Sequence, residues 1–297
     1  MSYSVSNNTG KTIRVGFLGY GTRALDALME HDGFEVRLFV APQSRLCSDV
    51  YDARIKYPDI DFMIARNNED LAGIFDRYSG EVDCFLMNAC PIILNQDVLN
   101  IIPVYNIHPG DLSINRGHQP HLWTVLLGEK NSEIVLHSVT PNIDEGDIIA
   151  MYRCDVTEDM DSLDVLDLLE DHIPDLLDGL YDHIVNNAPA IENIVGGDYR
   201  RVMVHSDYEF YAGDIDKPGF KEDVLRKIRA RAMHHGAFFM NGDERVYVDR
   251  LLFDEPIDPF DDPDDVRVSF HGTVVFIEKG NRRFVFNLNK KERVKIS

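Results

Sequence analysis

Five short apolar runs punctuate the first 108 residues: TIRVGFLG, EVRLFVA, DIDFMIA, VDCFLMN and VYNIH. Helix-like stretches such as ALDALMEH and NEDLAGIFDRY separate them. Strands that alternate with helices pair as parallel neighbours, with the helices covering both faces of the sheet. The pattern therefore predicts an α/β fold with a mostly parallel sheet.

The first run ends in GYGT, a strand-turn-helix opening. Ala24 stands where a third glycine would complete a Gly-x-Gly-x-x-Gly dinucleotide turn, so a nucleotide cofactor is not expected here. A tight structural turn explains Gly19 and Gly21 equally well. From Asp155 to Asn187 leucines and isoleucines recur at helical spacing opposite acidic residues, with Pro174 as a kink or break. IVGGDYRR, with Gly196 and Gly197, reads as a linker. Beyond it come one helix, KEDVLRKIRARAMHH, and the hairpin-like GAFFMNGDERVYVDRLLF and GTVVFIEKGNRRFVFNL, which predict a small β-rich, barrel-like domain. The expected organisation is a flexible N-terminus (1–11), a catalytic domain (12–199) and a C-terminal β-rich domain (200–297).

The 297 residues, 44% apolar, suffice for a full core. No apolar run approaches the roughly 20 residues of a membrane span, and MSYSVSNNTGK lacks the apolar centre of a secretory signal, so a cytoplasmic location is expected. Cys47, Cys84, Cys90 and Cys154 are isolated, which suits reduced thiols. His118 and His121, and the adjacent His234 and His235, lack companion ligands at metal-site spacing, so no metal is expected. With 51 acidic against 30 basic residues, the net charge of -21 disfavours a polyanionic partner such as tRNA, although a local basic patch could override it.

The chemistry concentrates in NIHPGDLSINRGHQPHLW and the later NIDEGDII. Asn106, His108 and Asp144 supply an amide donor, an imidazole and a carboxylate. Such a set can polarise a carbonyl and move a proton, which acyl transfer to an amine requires. An Asn-x-His at a strand end can equally hold a loop.

Asn106-x-His108-Pro109, then Arg116-Gly117, Trp123 and Asp144-x-Gly146-Asp147 resemble the core of the folate-dependent formyltransferases, from about residue 12 to the C-terminus. That family includes glycinamide ribonucleotide, methionyl-tRNA and amino-sugar formyltransferases. The resemblance implies a Rossmann-like catalytic domain with Asn106, His108 and Asp144 catalytic. Asn106 and a protonated His108 would face the oxyanion, and Asp144 would accept the amine proton. It further implies 10-formyltetrahydrofolate as formyl donor, held by Met87, Asn88, Ala89, Cys90, Pro91 and Ile92 and by Thr140, Pro141, Asn142 and Ile143. Gly19, Gly21, Thr22, Arg116, Gly117 and Trp123 are the positions implied for the acceptor.

Ile228-Arg229-Ala230 and Gly236-Ala237-Phe238 resemble the C-terminal domain of methionyl-tRNA and some sugar formyltransferases, with His234 and His235 where an aromatic residue and a proline are usual. The acceptor expected first is a nucleotide-linked amino sugar, since APQSRLCSDVYDARIKYP carries only Arg45, Arg54 and Lys56 and lacks the basic loop expected for tRNA. Methionyl-tRNA is the second reading. Hydrolysis of the formylated folate is the third, weighed down because the first strand begins near Thr12 and leaves no room for the regulatory domain that such hydrolases usually carry. A homodimer is compatible with all three.

Overall fold

The computed structural model describes residues 10–193 and 198–294. Most of the expected N-terminal segment 1–11, and Gly196 and Gly197 of the expected linker, lie outside the described residues. The chain divides into two compact units: Met1–Gly117 with Glu133–Cys154 and Leu168–Tyr199, and His118–Ser132 with Asp155–Asp167 and Arg200–Ser297. Two internal stretches thus belong with the C-terminal part.

In the first unit the apolar runs become strands β1 (Ile13–Gly19), β2 (Phe34–Pro42), β3 (Asp61–Ala65), β4 (Cys84–Asn88) and β5 (Val104–His108). After the two-residue β6 (Arg116–Gly117) come β7 (Asn131–Ser138) and β8 (Ile148–Asp155). The seven-stranded sheet has the order β3-β2-β1-β4-β5-β7-β8. Its first five strands are parallel, as the sequence predicts, and β7 turns back antiparallel to β5. The strand order reverses direction between β1 and β4, and in open α/β sheets ligands bind beyond the carboxyl ends of strands at such a point.

Helices α1 (Thr22–Glu30), α2 (Ser48–Lys56), α3 (Asn68–Tyr78) and α4 (Gln96–Leu99) connect the parallel strands. The start of α3 is fixed by Asn67, whose side chain accepts from the Asp70 backbone N–H. Its apolar face buries Leu71, Ile74, Phe75 and Tyr78 against Phe85 and Val104. Phe75 and Phe85 stack with ring centroids 3.9 Å apart, and a Cβ on Gly16 would run into the Phe85 ring. Glycine in β1 therefore makes room for the stack.

Later in the chain are α5 (Pro120–Leu127), α6 (Ser162–Glu170) and α7 (Ile173–Asn186). Pro174 falls in the first turn of α7, where its missing N–H costs nothing, so it separates two helices and kinks neither. The short β9 (Tyr199–Arg200) precedes α8 (Phe220–Ala230).

The second unit's sheet is antiparallel, in the order β10-β11-β14-β13-β12. Its strands are β10 (Ala237–Asn241), β11 (Glu244–Pro256), β12 (Val266–His271), β13 (Val274–Lys279) and β14 (Arg282–Arg293). Repeated register shifts along β11 curl it into a half-barrel. The predicted hairpins turn at Gly242 and Gly280, both at positive φ. One face packs Phe239, Val246, Phe284 and Phe286 against Val224 and Ile228 of α8. VRVSFH forms a further strand, β12, that its sequence did not announce. The helix ends at Ala230, before His234 and His235, which are both exposed.

Candidate active site

Asn106 and His108 occupy the last turns of β5, and both side chains are buried. Antiparallel pairing sets Asn106 opposite His137 of β7 and His108 opposite Val135. Residues opposed in a ladder project to the same face, so the register delivers a second imidazole beside the expected trio. His137, only 2% exposed, is a residue that sequence reasoning missed. In EIVLHSV it reads as a lone polar residue in a core strand; the strand register reveals it.

The hydrogen bonds assign the protons. His137 Nδ1 donates to the Ser138 carbonyl at 2.8 Å, which leaves Nε2 to accept from the Asn106 amide at 3.1 Å. One amide hydrogen of Asn106 is thereby fixed, and its second points elsewhere. His108 Nε2 donates to the Asn115 carbonyl at 3.0 Å, leaving Nδ1 toward Asp144 Oδ2 at 3.5 Å. His137 Nε2 lies 3.5 Å from the other oxygen, Oδ1. These two separations exceed a good hydrogen bond, so Asp144 sits between two imidazoles without being tightly bonded to either.

Asp144 is mostly buried, and burial alone would raise its pKa. The neighbouring His108 and His137 and the Gly117 N–H donated to Oδ2 at 2.8 Å outweigh it and hold the carboxyl well below the usual carboxylate range. Burial pushes the His108 imidazole down, against the opposing pull of Asp144 and of the Asn115 carbonyl. The resting pair is therefore an ionised carboxylate facing a neutral imidazole, which differs from the sequence expectation of a standing imidazolium: desolvation in a closed site outweighs a single carboxylate 3.5 Å away.

The loop that carries Asp144 is tightly specified. Asp144 has φ 55, in the left-handed region, which costs a non-glycine residue on the order of 1–2 kcal/mol. Asn193 donates to its carbonyl at 3.1 Å. A Cβ on Gly146 would overlap the Ser138 carbonyl, which explains glycine two residues after the aspartate. Beside these contacts, Arg116 donates to Glu145 at 2.8 Å.

The two stretches expected to hold folate meet on one apolar cluster. Met87, Cys90 and Ile92 pack partly buried against it, as does Val139, next to Thr140. Burial pushes the Cys90 thiol up to about 11, so it stays protonated. Ala89, Pro91, Pro141 and Asn142 are exposed, and Thr140 and Ile143 half-buried. Ala89 has φ 54. Half-buried apolar side chains beside irregular backbone suit a flat heteroaromatic ring. Asn88 is buried, with its amide donated to the Ile107 carbonyl at 3.2 Å.

The expected acceptor positions are dispersed. A Cβ on Gly19 would strike the Asn88 backbone and one on Gly21 its side chain, so this turn is closed down on β4, and Thr22 begins α1. Arg116 and Gly117 face the Asp144 loop. Trp123 belongs to the second unit, buried with Leu122, Met203, Tyr208, Phe238 and Tyr247. Its indole N–H donates to the Arg201 carbonyl at 3.2 Å, and the Arg200 and Arg201 guanidinium groups lie over the ring.

The sequence matches the formyl transferase family profile over residues 64–175, a span that contains Asn106, His108, His137 and Asp144. Over that stretch the chain is similar to the formyl transferases. A methionyl-tRNA formyltransferase of Sulfurihydrogenibium sp. is 23% identical over 62% of this chain and 58% of that relative, and this chain spans less than two thirds of the curated relatives it matches. Among solved structures, a sugar N-formyltransferase from Shewanella sp. superposes with TM-score 0.63 at 18% identity, over 80% of this chain and 96% of that one. An N-formyltransferase of Helicobacter canadensis, solved with folinic acid and dTDP-3-aminofucose, gives TM-score 0.61 at 14% identity, over 93% of this chain and 100% of that one. At these identities the two structures speak to the fold. No helix among the described residues is long and apolar enough to cross a membrane.

Proposed function

We propose that this protein is an N-formyltransferase that moves a formyl group from 10-formyltetrahydrofolate to the primary amine of a nucleotide-linked amino sugar. The observation that carries this reading is the buried trio Asn106, His108 and His137 on the paired strands β5 and β7, with the Asp144 carboxylate of the following loop 3.5 Å from both imidazoles. When bound, the formyl donor supplies an activated one-carbon unit. The acceptor nitrogen bonds to the formyl carbon, and the bond from that carbon to N10 breaks. Asn106, oriented by His137, donates its remaining amide hydrogen to the oxygen that becomes negative. Asp144 takes the proton that the attacking amine must lose, and His108 Nδ1, 3.5 Å away, can share it. The same proton balances the departing N10, so the transfer needs no external acid.

Supporting the sugar as acceptor are the amino-sugar formyltransferases among the structural neighbours and the net charge of -21. A second reading, methionyl-tRNA, draws on the curated relatives of that activity. The test is mass spectrometry after incubating the protein with 10-formyltetrahydrofolate and a panel of nucleotide-linked amino sugars, methionyl-tRNA or buffer. A one-formyl mass gain on a sugar is the expected result. Gain on tRNA alone transfers the assignment to the second reading, and donor consumption in buffer makes the protein a hydrolase.

A further inference from the structure

We infer that Arg116 and Glu145 form a latch that positions Asp144, so that Arg116 serves the carboxylate and not the acceptor. The inference rests on the formyl-transfer reading for its kinetic consequences but not for its structural ones. Two consecutive residues of β6 grip two consecutive residues of the Asp144 loop: Arg116 Nη1 donates to Glu145 Oε1 at 2.8 Å, and the Gly117 N–H donates to Asp144 Oδ2 at 2.8 Å. Because the pairs are adjacent along both strands of contact, neither can shift without the other.

The Arg116 side chain is 12% exposed and that of Glu145 28%, so solvent screens this pair less than an open surface pair. Its second effect is electrostatic. Glu145 follows Asp144 directly, and a carboxylate without its guanidinium would disfavour ionisation of its neighbour. Arg116 therefore holds the loop in place and removes a charge that would oppose the base. The left-handed backbone of Asp144, with φ 55, gives the loop a reason to relax once the grip is lost. The Asn193 contact and the close fit of Gly146 on Ser138 hold the loop from its other side, so releasing the latch should displace the carboxylate without unravelling the segment.

Arg116→Ala and Glu145→Gln should each lower kcat by about tenfold or more while leaving the acceptor KM within about twofold, the pattern of a misplaced reacting group and not of a lost binding contact. In Arg116→Ala the acid limb of the pH–rate profile should move to higher pH. Arg116→Lys should recover part of the rate, and the exchange R116E with E145R should recover more than either single change. The structural half is read without substrate or turnover, by following the Gly117 amide proton and the Asp144 carboxyl carbon through a pH titration by NMR. In the wild type both should report one carboxyl titrating well below the usual range; in Arg116→Ala the titration should move up and the Gly117 amide should shift upfield as its bond weakens. A raised acceptor KM with both titrations unchanged would overturn the latch and make Arg116 an acceptor ligand. Unchanged titrations and unchanged kinetics would overturn it too. If the wild type transfers no formyl group, the functional reading fails while the NMR result still decides the latch. Glu145→Gln, nearly isosteric, keeps the test decisive should Arg116→Ala not fold.

Discussion

The two units use polar groups in opposite ways. In the first, Asn106, His108, His137 and Asp144 are largely withdrawn from water and linked in a chain by separations of 3.1 Å and 3.5 Å, and burial displaces the His108 titration downward while the neighbouring groups displace that of Asp144 downward. In the second, the charged groups of the antiparallel sheet lie mostly on its surface in pairs and triplets, such as Arg283 with Glu255 and Glu278, or Asp254 with Arg282 and Lys221. Where polar groups are buried without need, folding loses stability; their concentration around β5 and β7 of the first unit is thus the mark of a site, whereas the second unit is held by its apolar interior.

The largest change should come from that interior. Phe239→Ala empties a fully buried ring position and should cost about 3–5 kcal/mol, read as a fall in the urea midpoint, with turnover per folded molecule retained. Loss of turnover at full folding would break the contrast between the units. His108→Ala should do the reverse, raising the transition-state barrier by about 3 kcal/mol, roughly a hundredfold in kcat, in an assay at pH 7.5.

The same imidazole gives a pH signature. Its pKa lies below the ordinary value of about 6.5, so the folded state binds its proton less readily than the unfolded chain does. Its contribution to stability is present above that pH and declines as pH falls through it. Asp144, depressed in the same sense, adds a second decline only below about pH 4, the ordinary carboxylate range. Urea midpoints at pH 7.5 and 5.5 should therefore differ in the wild type and differ less in His108→Gln. A flat wild-type profile would remove the charge argument for the site.

His137→Gln, which loosens Asn106 and removes an imidazole beside Asp144, should cost about 1 kcal/mol, a fivefold effect on kcat with little on KM. Least of all, Arg283→Ala should leave the melting temperature nearly unchanged and turnover untouched, since solvent screens its ion pairs, one-third exposed on the arginine side. A fall in melting temperature as large as that of Phe239→Ala would show that the second unit also relies on polar order.

The parallel sheet was legible because β1, β2, β4 and β5 are almost uninterrupted apolar runs, and α3 because NEDLAGIFDRY has clear helical periodicity. β12 was not, since VRVSFH mixes a charge, a hydroxyl and an imidazole and is only half-buried. Asn106, His108 and Asp144 could be proposed from their spacing and family resemblance, but His137 depends on which residue of β7 lies opposite Asn106, and register is a property of two strands together. Trp123 illustrates the converse limit. Its sequence neighbourhood points to the acceptor, yet the segment 118–132 packs with the second unit, a long-range partition that local sequence does not encode.

The reversal of β7 against β5 has one more consequence. The chain leaves the sheet after His108 and re-enters it at β7 to set His137 against Asn106, so the whole excursion begins and ends on two neighbouring strands. Within it Asn115, Arg116 and Gly117 are tied to His108 and to the Asp144 loop, so change over generations is confined to the positions around them. Those surrounding positions can be rewritten while the contacts of His108 and Asp144 are inherited intact.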